Sequence, residues 1–195
     1  MTSRDRLLLS LSHREPDRIP VDLGSSTVTG ISGIAWNNLR KYLNISGRTR
    51  IFDVVQQLAM VEMDIIDLFG VDVLDANRVS IENTGWYEVS LADGSPAEYP
   101  SWFRPQKNED GSWHTYDRDG TVIAKMAAGA TFFDQMHYPY EDAYPENFNG
   151  LKDALKKISW IVHSHASNLD VSELRSRLTG LREETGKALV MSGGV

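Results

Sequence analysis

The sequence predicts an α/β fold interrupted by an antiparallel β insertion. Two patterns of apolar residues support this prediction. Before residue 80 and after residue 150, helical spacing alternates with short apolar runs, which is typical of strands that pair in parallel. Between about 85 and 126, alternating apolar residues and turn residues such as Asp119-Gly120 are instead typical of antiparallel hairpins.

Composition limits the classes of protein to which the chain can belong. Its 195 residues are 41% hydrophobic, which is enough for the core of one ordinary domain. The net charge of -7 argues against a nucleic-acid partner and against binding to anionic membranes, since both need a basic face. No apolar run approaches the roughly 18 residues of a membrane span, so we expect a soluble, cytoplasmic protein. The chain contains no cysteine, which excludes a disulfide, a thiol nucleophile and a Cys-bound metal within it.

The first predicted elements are a helix and a short strand. Ser3 can cap a helix that continues to Leu11, with Leu7 and Leu8 on the same apolar side as Leu11. Residues 18–23 are then expected to form the first strand of the α/β part.

Two further helices and a second strand are predicted before the insertion. Residues 31–43 show an approximate helical face that Gly47 terminates. Asp53 stands at a capping position for a longer helix, which is predicted to end at Gly70. Residues 71–74 follow as a strand that leads into a polar loop.

After the insertion the helical pattern returns. A loop over 138–145 precedes a helix that is predicted to begin at Leu151. Asp170 and Glu173 resemble a capping box that opens a second amphipathic helix. The chain then reaches an apolar strand from residue 188 and stops in a glycine loop. Because an α/β sheet seldom ends on a strand without a covering helix, we expect a carboxyl-terminal half to be absent.

Several segments resemble the uroporphyrinogen decarboxylase and cobamide-dependent methyltransferase superfamily. The most specific is HREPDRIPVD at residues 13–22, directly after the first helix, followed by LFGVDV at residues 68–73. Residues 184–190 also occupy a similar place in that superfamily. The resemblance covers nearly all of the chain and implies the amino-terminal part of a (β/α)₈ barrel, with the β insertion at about 85–126.

In such barrels the reacting groups lie on loops at the carboxyl ends of the strands. Eight residues therefore become candidates for a ligand site: Asp22, Gly24, Ser25, Ser26, Asp75, Asn77, Ser192 and Gly193. Asp22 is the candidate catalytic group, because a carboxylate at a strand end can hold a substrate donor or transfer a proton. The alternative for Asp22 is a loop cap that accepts hydrogen bonds from backbone amides.

The resemblance implies two kinds of chemistry. The decarboxylase branch needs no cofactor and carries an arginine-rich loop after the first strand, which grips an acidic tetrapyrrole. Residues 23–32 contain no Arg or Lys, and this absence favours the other branch. That branch transfers a methyl group between a corrinoid protein and a small donor or acceptor. It uses zinc, bound by His and Cys of the barrel's second half.

Two alternatives to a methyltransferase stay open at this point. One is porphyrinogen decarboxylation, a lyase reaction of porphyrin biosynthesis. The other is a binding domain without chemistry, in which Trp and Tyr of the insertion contact a corrinoid protein. Those aromatic residues can equally form the core of the insertion: Trp86, Tyr87, Trp102, Trp113 and Tyr116.

The sequence predicts no metal site within the chain itself. His163 and His165 are two residues apart, yet no third ligand with suitable spacing is visible. We interpret them as residues near a helix end. A partial barrel also leaves an open strand edge, through which we expect self-association.

Overall fold

The computed structural model describes residues 1–81, 85–138, 140–141, 147–154 and 170–191. The helices of these residues are α1 (Ser3–Leu11), α2 (Gly33–Leu43), α3 (Met63–Leu68), α4 (Arg78–Ile81) and α5 (Val171–Glu184). The strands are β1 (Ile31–Ser32), β2 (Ile51–Asp53), β3 (Leu58–Ala59), β4 (Val73–Asp75), β5 (Trp86–Ser90), β6 (Pro96–Pro100), β7 (Gln106–Lys107), β8 (Trp113–Tyr116), β9 (Val122–Met126), β10 (Asp134–Gln135) and β11 (Ala188–Val190).

The α/β part contains one parallel strand pair. Strand β11 pairs with β4, with Ala188 opposite Val73. Residues 18–23 form no strand, so that prediction was wrong. The Val21 carbonyl accepts the amide of Asp72 at 2.7 Å, which ties this segment to the residue just before β4.

The insertion is antiparallel, as the sequence predicts. Strands β5 and β6 form one hairpin, and the second sheet has the order β10-β9-β8-β7. Asp119 and Gly120 turn the chain between β8 and β9, where Gly120 has a φ of 81° and the Asp117 carboxylate accepts the amides of Asp119 and Thr121. A left-handed φ of this kind is why glycine stands at the turn.

The long helix predicted from Asp53 to Gly70 was wrong in its first half. Strands β2 and β3 form an antiparallel hairpin there, and only α3 is helical. The Asp53 carboxylate does act as a cap, but of a turn, because it accepts the amides of Val55 and Gln56. Gln57 then adopts a φ of 58°, which stops any helix at that residue.

Helix α1 has the predicted extent and a different buried side. Its cap is Thr2, not Ser3, and Thr2 and Asp5 form a reciprocal capping box. Leu8 and Leu11 are 57% and 69% exposed, whereas Arg6 is the buried residue of the helix. The side of the helix that carries Leu8 and Leu11 is therefore not the packed side, because the ion pairs of Arg6 described below bury the other side.

Helix α5 begins as the sequence predicts. The Asp170 carboxylate accepts the amides of Ser172 and Glu173. The Glu173 carboxylate pairs with Arg177 at 2.5 Å, which is not the partner that a capping box requires. Residues 151–154 are helical, in agreement with the predicted start at Leu151. Most of the predicted 138–145 loop, and residues 155–169, lie outside the described residues.

Three groups of buried apolar residues form the core. The largest fills the insertion and contains Tyr99, Phe103 and Phe133, whose rings meet edge to face at 5.2 and 5.3 Å. A second packs α2 and α3 against β4 around the fully buried Trp36. The third is a small group of Phe52, Leu58 and Ile81, of which Phe52 and Ile81 line the cavity described next.

Candidate functional site

Two of the residues predicted to form a ligand site lie at one small cavity. Gly24, from the loop after the 18–23 segment, and Asp75, at the end of β4, both line it. The cavity has a volume of about 20 Å³, which is room for about one water molecule. This is the place where the sequence predicts a ligand site, and two of the predicted residues meet there.

The cavity is lined by one acidic and one basic side chain, Asp75 and Arg78, among mostly apolar residues. Asp75 is 9% exposed, and its Oδ1 accepts the amide of Asn77 at 2.9 Å. The Arg78 guanidinium donates to the carbonyl of Val61 at 2.9 Å, which holds it at the cavity. The remaining walls are largely apolar and come from Leu23, Phe52, Met60, Val61, Ile66, Val73, Leu74 and Ile81. A carboxylate and a guanidinium in such surroundings can orient a small ligand through charge-assisted hydrogen bonds.

Asp22 caps the loop that leads to the cavity. Its carboxylate accepts the Ser25 amide at 3.1 Å and the Ser25 hydroxyl at 2.6 Å. Gly24 is left-handed, with a φ of 83°, and its amide donates to the carbonyl of Thr29 at 2.9 Å. These contacts are those of the loop-cap interpretation, although the exposed position of Asp22 also leaves the carboxylate accessible to a ligand.

Among the described residues, four other candidates do not line this cavity: Asp22, Ser25, Ser26 and Asn77. The Ser25 hydroxyl is committed to Asp22, and the Ser26 hydroxyl lies 3.2 Å from that of Thr29. Asn77 contributes its amide to Asp75. Ser192 and Gly193 lie outside the described residues, so the structure says nothing of them.

A buried ionic network, which sequence reasoning missed, positions the 18–23 segment. Asp72 is fully buried, and its carboxylate accepts Arg6 Nη1 at 2.5 Å and Arg18 Nη1 at 2.6 Å. It also accepts the Val21 amide at 2.8 Å. Arg6 in turn holds Asp17 through two bonds of 2.6 and 2.8 Å. The network thus ties α1 and the segment to the start of β4.

The charge of Asp72 is stabilised in spite of its burial. Burial alone raises the pKa of this carboxyl, because a charge is costly away from water. Hydrogen bonds from Ser3, the Val21 amide, Arg18 and Arg6 outweigh that effect, and the pKa lies well below its usual range. The sequence does contain one sign of this network, the adjacent charges of Asp17 and Arg18 inside the HREPDRIPVD motif. A single sequence does not show which distant residues pair with them.

The aromatic residues of the insertion mostly serve its packing. Tyr87 and Trp113 pack against the large buried group, and Trp86 packs against the group around Phe52. Trp102 and Tyr116 keep 38% and 37% of their surface exposed. The first three residues therefore contribute to the core, and each of them stays partly exposed.

The described residues contain no group of three or more His, Cys, Asp or Glu that could hold a metal ion. His163 and His165 lie outside that part of the chain. Among the described residues, no helix has both the length and the apolar character that crossing a membrane requires.

Comparison with known proteins yields no relative. The chain matches no model of a known protein family, no curated protein and no solved structure. The interpretation of the site therefore depends on the chain's own residues.

Proposed function

We propose that the chain is the amino-terminal part of a (β/α)₈ barrel enzyme of the uroporphyrinogen decarboxylase and cobamide-dependent methyltransferase superfamily. The full-length enzyme, on this proposal, is cytoplasmic and moves a methyl group between a corrinoid protein and a small donor or acceptor. The observation that most supports the proposal is the parallel pairing of β4 and β11. Neighbouring parallel strands are what the first part of such a barrel requires.

The cavity at the end of β4 supports the location of the site. Barrel enzymes carry their reacting groups at the carboxyl ends of strands, and Gly24 and Asp75 meet at that end. We propose that Asp22 is the catalytic carboxylate and that the residues next to it and after β4 contact the ligand: Gly24, Ser25, Ser26, Asp75 and Asn77, with Ser192 and Gly193 after the last strand. Charge near the ligand then comes from Asp22, Asp75 and Arg78.

The distribution of cations favours methyl transfer over decarboxylation. A substrate with many carboxylates needs several fixed cations, and residues 23–32 supply none. Arg6 and Arg18, which lie close by in sequence, are engaged by Asp17 and Asp72. Arg78 is then the one cation in the described lining of the cavity, which suits a small ligand better than an acidic macrocycle.

Zinc, which the superfamily resemblance implies for a methyltransferase, does not fit the residues of this chain. The chain contains no cysteine, and its described residues hold no cluster of three ligands. We therefore place any zinc ligands in the remainder of the full-length protein and assign no step of the reaction to zinc here. Among the described strands, β11 pairs only with β4, and we propose that the chain alone self-associates through the other edge of β11.

The test is an assay of the full-length protein with two substrates. Methylcobalamin with a thiol acceptor should lose its methyl group, seen as a change of its visible spectrum and as the methylated thiol by mass spectrometry. Uroporphyrinogen should remain unchanged. An Asp22→Asn variant, purified identically, is the control for trace contaminating enzymes. Formation of coproporphyrinogen with no spectral change of the cobalamin would show that the decarboxylase branch is correct, and no turnover of either substrate would favour a binding domain.

A further inference from the structure

A second cleft lies in the insertion, separate from the cavity at β4. It is formed by the β5–β6 turn, strands β7 and β8, and the turn after β9, and has a volume of about 440 Å³. The cleft and the β4 cavity share no described lining residue. Its volume falls within the roughly 300–1,000 Å³ of ordinary small-molecule sites.

The lining combines one aromatic and one charged side chain with very small residues. Trp113 is the only aromatic residue and Lys107 the only charged one among the described residues of the lining. Lys107 Nζ lies 5.7 Å from the centre of the Trp113 ring. Much of the remaining surface is alanine and glycine: Ala92, Gly94, Gly111, Ala127, Ala128, Gly129 and Ala130.

Two of the turn glycines leave the cleft open. Gly94 and Gly129 have φ values of 81° and 77°, and a Cβ at either residue would meet nothing within 4 Å. Their left-handed conformation explains why glycine stands at both turns, and neither residue adds a side chain to the cleft. Within the described part of the chain the Lys107 ammonium forms no ion pair of 4.0 Å or less, and it lies over the Trp113 ring.

From these features we infer that the cleft binds a small planar molecule with one anionic group, such as an aromatic carboxylate. The ring of the ligand packs on Trp113, since an aromatic face attracts another flat apolar ring. The anionic group pairs with Lys107, which gains a carboxylate partner while keeping its contact with Trp113. The inference is independent of the methyltransferase proposal, because it concerns binding at residues that take no part in that site.

The experiment uses the full-length protein and two matched probes, naphthalene-2-carboxylate and its neutral carboxamide. Binding is followed by ¹⁵N NMR of the tryptophan indole N–H signals, with that of Trp113 assigned from a Trp113→Phe variant. The carboxylate should shift the Trp113 signal saturably, and the carboxamide should bind more weakly. Lys107→Gln should weaken carboxylate binding two- to fivefold, as expected for an exposed ion pair of up to about 1 kcal/mol. Lys152→Gln, another exposed lysine, should leave it unchanged.

Circular dichroism of each variant shows whether the fold is retained, and an Ala128→Phe variant, which fills the cleft, provides a second test. It should abolish the shift of Trp113 while the fold remains. The inference is overturned by equal affinity for the two probes, by an unchanged affinity in Lys107→Gln, or by the lack of a saturable shift at Trp113. Activity toward methylcobalamin has no bearing on any of these outcomes.

Discussion

Replacing Asp72 by Asn should strongly destabilise the protein. The carboxylate is fully buried and accepts bonds from Arg6, Arg18, the Val21 amide and Ser3. Removing one partner of a buried ion pair typically costs about 3–5 kcal/mol, because an uncompensated charge remains. Arg18 is 42% exposed along its side chain and recovers hydration, so we expect a loss near the lower limit, about 3 kcal/mol. Urea unfolding followed by circular dichroism measures this loss as a lower midpoint at an unchanged slope.

The same carboxylate predicts the direction of the pH dependence. The pKa of Asp72 is lower in the folded state than in the unfolded state, so its contribution is fully present above the unfolded value of about 3.8. The contribution is lost as the pH falls from there toward the folded pKa. The difference in unfolding free energy between the natural protein and Asp72→Asn should therefore be constant near pH 7 and shrink below about pH 4. Asp17→Asn, which removes the more exposed carboxylate of the network, is the matched control and should destabilise less. A loss below about 1 kcal/mol for Asp72→Asn, or a difference that grows on acidification, would refute this reasoning.

Three further predictions follow from single contacts. Asp22→Asn should lower methyl transfer at least tenfold, with a stability loss of about 1 kcal/mol. Ser25→Ala removes the hydroxyl bond to Asp22 but keeps the carboxylate, so it should retain turnover. Equal turnover in both variants would show that Asp22 is only a loop cap. Gly33→Ala should destabilise by about 1–3 kcal/mol, since the new Cβ would lie 2.5 Å from Ile51 Cδ1. Gly180 lies within α5, and a Cβ there would meet nothing within 4 Å, so Gly180→Ala should stabilise the protein by about 0.5–1 kcal/mol in thermal unfolding. A stabilised Gly33→Ala or a destabilised Gly180→Ala would contradict the packing described. The chain without the rest of the protein should hold much less than one zinc per molecule, as measured by elemental analysis after dialysis. Stoichiometric zinc that is lost in a His163→Ala/His165→Ala variant would contradict our interpretation of those two residues.

The sequence predicted local structure best where the signal is itself local. Helix α1 begins beside a polar cap, α5 begins at Asp170, and the hairpin at Gly120 needs a left-handed residue. Each of these depends on residues within about four positions of one another, which a single sequence displays directly.

The failures share a physical cause, which is competition from distant partners. Val54, Leu58 and Val61 have helical spacing, yet each belongs to a different buried group, so no single helix face could bury all three. Their spacing predicts a helix whether the three residues share one buried face or pack in different groups, because periodicity shows which residues are apolar and not where each one packs. The Asp53 cap and the left-handed Gln57 decide the outcome in favour of a hairpin.

The candidate site shows the same division. The rule that ligand groups follow strands led to Gly24 and Asp75, which do meet at one cavity. It could not find Arg78, which lies on the short helix after β4, or Asp72, whose partners Arg6 and Arg18 are 66 and 54 residues away in the sequence. Such pairs become visible only when the chain is folded.

A crystal structure of the full-length protein tests the central claim most directly. If the chain is the first part of a barrel, a further strand should pair in parallel with the edge of β11 that faces away from β4, and another should lie in parallel beside residues 18–23. The carboxyl ends of these strands should surround the cavity of Gly24 and Asp75. An antiparallel strand on β11, or a helix that covers either edge, would contradict the barrel and with it the proposed place of the site.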